Sequence, residues 1–232
     1  MNSHEAEAAF EFAGTRLVAD PSGALHWPDE ETLIVSDLHF EKGSSFARRG
    51  VFLPPYDTRA TLKSLQSAAD RYRPKQVISL GDSFHDRHGS ERIALRDREL
   101  LGELMTGREW IWVLGNHDPA PPRDIGGEVC DDYKLGPLTF RHEPQPGAAI
   151  GEVAGHLHPC ATVGTRLRRL RRRCFAFDGS RLVMPAFGAY TGGLCVLDQA
   201  FALVLHAPFL AMVLGRNRVY PIRHTKLLPD TP

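Results

Sequence analysis

The sequence predicts a layered α/β domain, and three observations support this prediction. Short apolar or β-branched runs alternate with helical segments in the first half of the chain. Each of these runs ends abruptly in a polar segment. After about Gly126, short strand-like runs separated by Gly and Pro replace the alternation. Strands that alternate with helices favour an α/β sheet, and the β-rich second half favours a further sheet stacked on the first.

The elements of the first half are predicted from apolar runs and their boundaries. Buried strands with loops at their carboxyl ends are predicted at residues 33–35, 77–80 and 111–114. One helix is predicted at residues 58–71, where Pro74 follows its end, and another at residues 90–105, where Ser90 is a suitable N-cap.

The second half is predicted to be rich in short strands. Strand-like runs are found at residues 138–140, 182–184 and 194–197. The apolar run 200–214 contains His206 and Pro208 and is too short to span a bilayer, so we interpret it as buried core.

Composition limits the possible classes of protein. The chain has 232 residues and a 42% hydrophobic content, so a single domain spanning residues 1–232 is expected. Lys plus Arg and Asp plus Glu number 28 each, so any contact with nucleic acid must come from local patches. The four cysteines lack Cys-x-x-Cys spacing, which fits a cytoplasmic protein without a disulfide scaffold. The N-terminus does not resemble a secretion signal, and no membrane partner is expected.

Five short motifs carry oxygen and nitrogen donors, and the first three follow the predicted strands of the first half. Open α/β sheets bind their ligands at this end of the strands. The motifs combine carboxylate, imidazole and amide oxygen, which suit Mn²⁺, Zn²⁺ or Fe. In chain order they are Asp37-x-His39, Gly81-Asp82, Gly115-Asn116-His117-Asp118, His142 and Gly155-His156-x-His158.

The order of the motifs is more informative than any one of them. An isolated Asp-x-His or Gly-Asp is common, and an isolated histidine is more often a core or turn residue. A fixed Gly-Asn-His-Asp should arise by chance in well under about one chain of this length in a hundred. Because this tetrapeptide lies between Asp-x-His and Gly-His-x-His, the sequence predicts a metal site.

The ordered motifs resemble those of the calcineurin-like metallophosphoesterase superfamily over most of the chain. The resemblance implies a pair of packed β-sheets flanked by helices, and two divalent metal ions that clamp one phosphoryl group. It also implies that Asp82 bridges the two ions. By motif, one ion would be held by Asp37, His39, Asp82 and His158, and the other by Asp82, Asn116, His142 and His156.

The same resemblance implies catalytic roles for His117 and Asp118. In such a site the two ions activate a water to hydroxide, which attacks phosphorus in line. His117 would protonate the leaving oxygen or stabilise the transition state. Asp118 would orient His117 or stabilise its charge, or alternatively cap the turn before Pro119.

Four longer segments are similar to a narrower bacterial family, the ligase-associated DNA damage response endonucleases. They are residues 37–50, 81–85, 155–159 and 185–193. This similarity implies a Mn²⁺-dependent DNA phosphodiesterase of DNA repair, acting on single-stranded or unpaired DNA. It implies a functional association with a DNA ligase, a helicase and an exonuclease. The sequence leaves open whether cleavage is endonucleolytic or exonucleolytic.

Basic residues near the motifs are candidate substrate contacts. Lys42, Arg48 and Arg49 follow the first motif closely enough to reach a phosphate beside the scissile one, although they are alternatively surface charges. His85 is expected to contact a metal ligand or the substrate. A further cluster would neutralise DNA phosphates or simply aid solubility. Its members are Arg166, Arg168, Arg169, Arg171, Arg172 and Arg173.

Two other functions are compatible with the sequence. A small-molecule phosphatase or nucleotide pyrophosphatase would use the same two metals, and activity on a nucleotide without activity on DNA polymers would select it. A non-catalytic scaffold for DNA-repair partners would use the metals only for stability. The intact set of motif residues, including His117, disfavours the scaffold.

Overall fold

The computed structural model describes residues 9–54, 56–118, 125–147, 149–166 and 168–230. Within these ranges the chain forms sixteen strands, arranged in two sheets, and five α-helices. The expected α/β fold of two packed sheets flanked by helices is confirmed.

The first sheet has seven strands, which follow one another in chain order. β1 to β4 form an antiparallel meander, and β4 to β7 are parallel. The strands are β1 (Ala9–Phe12), β2 (Thr15–Ala19), β3 (Leu25–Trp27), β4 (Thr32–Ser36), β5 (Gln76–Leu80), β6 (Glu109–Val113) and β7 (Glu128–Cys130).

The second sheet has nine strands of mixed direction, in the order β14-β11-β12-β13-β10-β9-β8, and β15 and β16 extend it from β12. β9, β10 and β13 are parallel neighbours. The strands are β8 (Asp132–Leu135), β9 (Leu138–Arg141), β10 (Glu152–Ala154), β11 (Pro159–Gly164), β12 (Arg169–Phe177), β13 (Arg181–Val183), β14 (Leu194–Cys195), β15 (Leu210–Leu214) and β16 (Val219–Arg223).

The helices confirm one prediction and correct another. The helix expected at 58–71 is α2 (Asp57–Tyr72). The single helix expected at 90–105 is instead two helices, α3 (Gly89–Arg92) and α4 (Leu95–Met105). Ile93 and Ala94 have extended backbone between the two helices, and Ile93 is buried in the core, so the apolar periodicity runs across the break. The helices are α1 (Lys42–Ala47), α2 (Asp57–Tyr72), α3 (Gly89–Arg92), α4 (Leu95–Met105) and α5 (Gln199–Ala202), with a 3₁₀ turn at His224–Lys226.

Alternation along the parallel strands explains the layers. Ile34 and Ile78 point towards the second sheet, where Phe140 and Phe175 complete the core. Their neighbours Leu33, Val35 and Val77 point the opposite way and pack against α2 and α4. Each fully buried side chain of this size contributes roughly 1.5–3 kcal/mol to stability. The two-sided burial therefore fixes both the sheet and its helical cover.

The apolar run 200–214 is only partly the buried core that was expected. It contains most of α5 and all of β15, and Phe201 is buried, but Leu203 is 69% exposed. No helix in the described ranges is both long and apolar enough to cross a membrane.

Strand register brings the ends of several strands to one edge of the sandwich. Ser36 of β4 pairs with Leu80 of β5, which in turn pairs with Val113 of β6. In the second sheet, Arg141 of β9 pairs with Ala154 of β10. The loops that carry the five motifs therefore begin beside one another.

Candidate metal centre

The candidate ligands form two groups around a pair of carboxylates. In each group the possible ligand atoms lie within 4.8 Å of one another. The groups are Asp37 with His39 and His158, and Asp37 with Asp82 and His142.

The first group is held together by contacts of His158. Nε2 of His158 lies 3.0 Å from Oδ1 of Asp37 and 3.4 Å from Nε2 of His39. Nε2 of His39 is 3.8 Å from Oδ2 of Asp82. Two imidazole nitrogens and two carboxylates thus converge on one point.

The second group is centred on Nε2 of His142. This atom lies 3.5 Å from Oδ1 of Asp82, 2.9 Å from Oδ1 of Asn116 and 3.1 Å from Nδ1 of His156. Nδ1 of His142 donates a hydrogen bond to the carbonyl oxygen of Leu80 at 3.1 Å. In the neutral ring Nε2 is therefore unprotonated and can bind a cation. Asp82 directs Oδ2 towards His39 of the first group and Oδ1 towards His142 of the second, as a carboxylate shared by two cations would.

The backbone at the ligands is unusual. Five of the seven candidate ligand residues have positive φ, between 45° and 67°. Side-chain-bearing residues rarely adopt this conformation, which costs of order 1–3 kcal/mol and is found mainly at functional sites. These residues are Asp37, His39, Asp82, His156 and His158.

Glycines make room for the ligands. A Cβ atom at Gly81 would lie 2.4 Å from the ring of His142, and one at Gly115 would lie 2.3 Å from Oδ1 of Asp82. A Cβ at Gly155 would lie 2.6 Å from Oδ2 of Asp37. The glycine at the start of each of these three motifs is therefore required, because a side chain there would clash with a candidate ligand.

The electrostatics couple Asp37 to His158. Burial alone would raise the pKa of Asp37, but the hydrogen bond and charge of His158 lower it to about 2. Burial opposes the charged form of His158, and Asp37 outweighs this and raises the pKa of His158. Burial lowers the pKa of His39 to about 3, so its ring is neutral near pH 7.

The donor set fits a pair of divalent cations. Apart from its contact with His158, Oδ1 of the fully buried Asp37 has no hydrogen-bond partner among the described residues. Buried carboxylate oxygens without partners are costly, and a cation would satisfy them. Carboxylate, imidazole and amide donors suit Mn²⁺, Zn²⁺ or Fe alike.

His117 lies at the rim of this centre with a fixed orientation. Nδ1 donates to the carbonyl oxygen of His85 at 2.9 Å, and Nε2 lies 3.9 Å from Oδ2 of Asp82. The imidazole rings of His85 and His117 stack with their centroids 5.3 Å apart. The side chain is 43% exposed, so an incoming substrate can reach Nε2.

One interpretation of the sequence was that Asp118 orients His117. In the structure, Asp118 makes no hydrogen bond to the side chain of His117. Its Oδ2 accepts from the amide of Phe84 at 2.9 Å, and the carbonyl of His85 orients His117 instead. Burial, followed by the charge of Asp82, raises the pKa of Asp118 to about 7. Asp118 therefore supports the loop that follows Asp82. The alternative, a cap on the turn before Pro119, lies outside the described residues.

The candidate substrate contacts His85, Lys42 and Arg48 differ in their relation to the candidate metal centre. Nδ1 of His85 lies 3.4 Å from Nδ1 of His39, so His85 contacts a candidate ligand directly. Lys42 is half-buried, with its Nζ 5.8 Å from the centre of the Phe46 ring, and burial lowers its pKa. Arg48 lines a surface cleft of about 420 Å³.

The arginine cluster 166–173 divides into structural and exposed members. Arg173 donates to the carbonyl oxygens of Ala186 at 2.6 Å and Ser22 at 3.2 Å. Arg171 pairs with Asp230 at 2.8 Å. Arg171 is nevertheless exposed, as are the remaining members, Arg166, Arg168, Arg169 and Arg172.

Several supporting groups were not predicted from the sequence. The hydroxyl of Ser36 donates to Oδ2 of Asp37, and the carbonyls of Leu80 and His85 set the ring orientation of His142 and His117. Main-chain carbonyls leave no signal in the sequence. Ser36 could have been noted, because it directly precedes the first ligand.

Comparisons with known proteins agree with this geometry. The family model described as calcineurin-like phosphoesterase matches residues 31–175. A solved nuclease MPE from Pseudomonas putida is 30% identical, with a TM-score of 0.73 over 92% of this chain and 98% of that chain. Yfce, a phosphoesterase from E. coli, is 15% identical, with a TM-score of 0.41 over 82% of this chain and 97% of that chain. No curated protein matches the chain in sequence.

The matched region contains all seven candidate ligands and His117. It begins just before β4 and ends within β12, so it includes the strand ends from which the ligand loops start. The chain belongs to the calcineurin-like phosphoesterase family and is a metal-dependent phosphoester hydrolase.

Proposed function

We propose that the chain is a DNA endonuclease that hydrolyses internal phosphodiester bonds in single-stranded or unpaired DNA. The observation that carries the proposal is the likeness to the Pseudomonas putida nuclease, which extends over 98% of that protein. The exposed Arg49 and Arg87 support it, because they line a cleft together with Asn116 and His117 and would neutralise the phosphates of a strand.

The proposed ligands are the five residues of the two groups together with Asn116 and His156, which contact His142, and we propose that Asp82 is shared. Asp37, His39, Asp82 and His158 would hold one cation, and Asp82, Asn116, His142 and His156 the other. Bound cations, proposed to be Mn²⁺, would supply an activated water and neutralise charge on the phosphate oxygens.

His117 is the proposed general acid. Its Nε2 faces the centre, and it would give a proton to the leaving oxygen as the ester bond breaks. The His85 carbonyl fixes the ring through Nδ1, so the proton on Nε2 is directed at the substrate. Asp118 would assist only by holding the amide of Phe84, beside His85.

The remaining expectations from the sequence belong to the same proposal. We propose a single domain over residues 1–232, a cytoplasmic location and a role in DNA repair. The functional association with a DNA ligase, a helicase and an exonuclease follows from the resemblance to the ligase-associated family. Co-purification from cells with the protein as bait would test that association.

Cleavage of circular single-stranded DNA tests the proposal, since a circle offers no end to an exonuclease. Metal-stripped protein resupplied with Mn²⁺ should linearise the circle, and Asp82→Ala and His117→Ala variants should not. Hydrolysis of bis(p-nitrophenyl) phosphate, a generic phosphodiester, serves as a control for the metal centre that does not require DNA binding. If the circle stays intact while this ester is hydrolysed, the DNA proposal is wrong. Nucleotides would then be the next substrates to assay.

A further inference from the structure

A cleft leads away from the candidate metal centre on the side of His117. Its inner part, of about 260 Å³, is lined by Asn116 and His117 and by Arg49, His85, Asp86 and Arg87. Its outer part, of about 420 Å³, shares Arg49 and Arg87 with the inner part. One continuous path therefore connects the proposed general acid to the surface.

The cleft carries an excess of positive charge. Arg48, Arg49 and Arg87 are exposed, and none forms an ion pair with an acidic residue in the part of the chain that the structure describes. Asp86 also lines the cleft, but Arg92 binds its carboxylate through two nitrogens at 2.7 and 3.0 Å. Its charge is thereby neutralised, and three guanidinium groups remain available.

The position of His117 indicates which part of the substrate the cleft would hold. Nε2 of His117 faces Asp82, so an oxygen that it protonates would lie between the ring and the candidate ligands. In an in-line displacement this oxygen belongs to the leaving group. The rest of the leaving group must then pass His117, which lines the inner part of the cleft.

We infer that Arg49 and Arg87 bind the phosphate next to the scissile one on the leaving-group side. Guanidinium groups bind phosphate through paired, charge-assisted hydrogen bonds. This inference rests on the proposed nuclease function and narrows its substrate class. The enzyme selects esters whose leaving group bears a further phosphate, which a polynucleotide has and a simple phosphodiester lacks.

Three thymidine dinucleotides test the inference, one without a terminal phosphate, one with a 5′-terminal phosphate and one with a 3′-terminal phosphate. Cleavage of the central ester is followed by chromatography with Mn²⁺. One of the two terminal phosphates should raise kcat/KM by roughly tenfold, mainly through KM. The central phosphate stays on one product, and the other product is the leaving group. The favoured terminal phosphate should lie on the leaving group.

Matched arginine variants link this preference to the cleft. In Arg49→Ala and in Arg87→Ala the ratio of kcat/KM with and without the favoured phosphate should fall towards one. Arg16→Ala removes an exposed arginine on β2, away from the cleft, and should keep the wild-type ratio. A wild-type ratio in both cleft variants would overturn the inference, as would an equal loss in Arg16→Ala.

The outcomes separate this inference from the proposed function. If the wild type leaves the DNA circle intact, the nuclease proposal fails. If the circle is cut but neither terminal phosphate increases cleavage of the dinucleotide, the nuclease proposal stands and the assignment of the cleft is wrong.

Discussion

His117 donates through Nδ1 to the main-chain oxygen of His85 at 2.9 Å, and this bond turns Nε2 towards Asp82. The acceptor lies three residues after Asp82, so one loop supplies both a candidate ligand and the support for the candidate acid. A carbonyl acceptor keeps a proton on Nδ1 in every protonation state of the ring. The second proton can therefore be gained and lost only at Nε2.

Replacing His117 with Ala should impair chemistry and spare the metals. General acid catalysis contributes about 10²–10⁴-fold, so kcat on DNA should fall by that order. Metal content, measured by inductively coupled plasma mass spectrometry, should stay at the wild-type level. Loss of the metals with retained kcat per bound metal would contradict the assignment.

Replacing Asp82 with Ala should remove both metal and activity. The carboxylate directs one oxygen to each group of ligands, so its loss weakens both. Metal content should fall to about half or less, and activity should fall with it. Asp70→Ala, an exposed carboxylate on α2, is the control and should match the wild type. Full metal content in Asp82→Ala would show that this residue is not shared.

A pair of glycine substitutions should have opposite effects. A Cβ at Gly115 would lie 2.1 Å from the amide nitrogen of Asp82, so Gly115→Ala should reduce metal content and stability. Gly102 lies within α4 and has nothing within 4 Å of its Cβ position. Gly102→Ala should therefore raise the free energy of unfolding by about 0.5–1 kcal/mol. Urea denaturation of both variants measures the contrast, and equal effects would contradict it.

Metal binding should become tighter as the pH rises from about 6 to about 8. Asp37 raises the pKa of His158 against the effect of burial, so in acid a cation must displace a proton from this ring. His39, whose pKa burial lowers to about 3, has no proton to release in this range. Calorimetric titration with Mn²⁺ in two buffers of different ionisation enthalpy should detect proton release at low pH that declines as pH rises.

The variant His158→Gln provides the control for this titration. Its amide side chain carries no titratable proton, so the pH-dependent release should shrink. Unchanged release in this variant would assign the proton to another group.

Arg173→Ala should destabilise the fold, whereas Arg172→Ala should not. Arg173 donates to the carbonyls of Ser22 and Ala186, which would lose their charged donor. The expected loss is about 1–3 kcal/mol in the free energy of unfolding. Arg172 is exposed, so its substitution should leave the urea midpoint unchanged. Equal midpoints for the two variants would contradict a structural role for Arg173.

The central strands were predictable because they are buried on both faces and therefore form continuous apolar runs. Buried runs at 33–35, 77–80 and 111–114 lie in or directly follow β4, β5 and β6. The break at Ile93 was not predictable, because a buried isoleucine fits a helical pattern whether or not the helix continues. Local periodicity records which side faces the core and not where the backbone turns.

The positions of the candidate ligands were predictable, but their supports were not. Motif order indicated the seven residues, which the structure brings together at one edge. The sequence also allowed Asp118 to orient His117 or stabilise its charge, because the two are adjacent, or to cap the following turn. In the structure the carboxylate points back to the amide of Phe84, since neighbouring side chains in a loop need not face each other. Only the fold shows which main-chain carbonyls are within reach.

The five candidate ligand positions with positive φ would make the abundance of the protein depend on the supply of its cation. At of order 1 kcal/mol or more each, their combined strain is comparable with the 5–15 kcal/mol that stabilises a typical domain. Cation binding would offset this strain, so chains made during metal starvation should open locally and be degraded. The cellular abundance of the protein, and not only its activity, should then rise and fall with the supply of the cation.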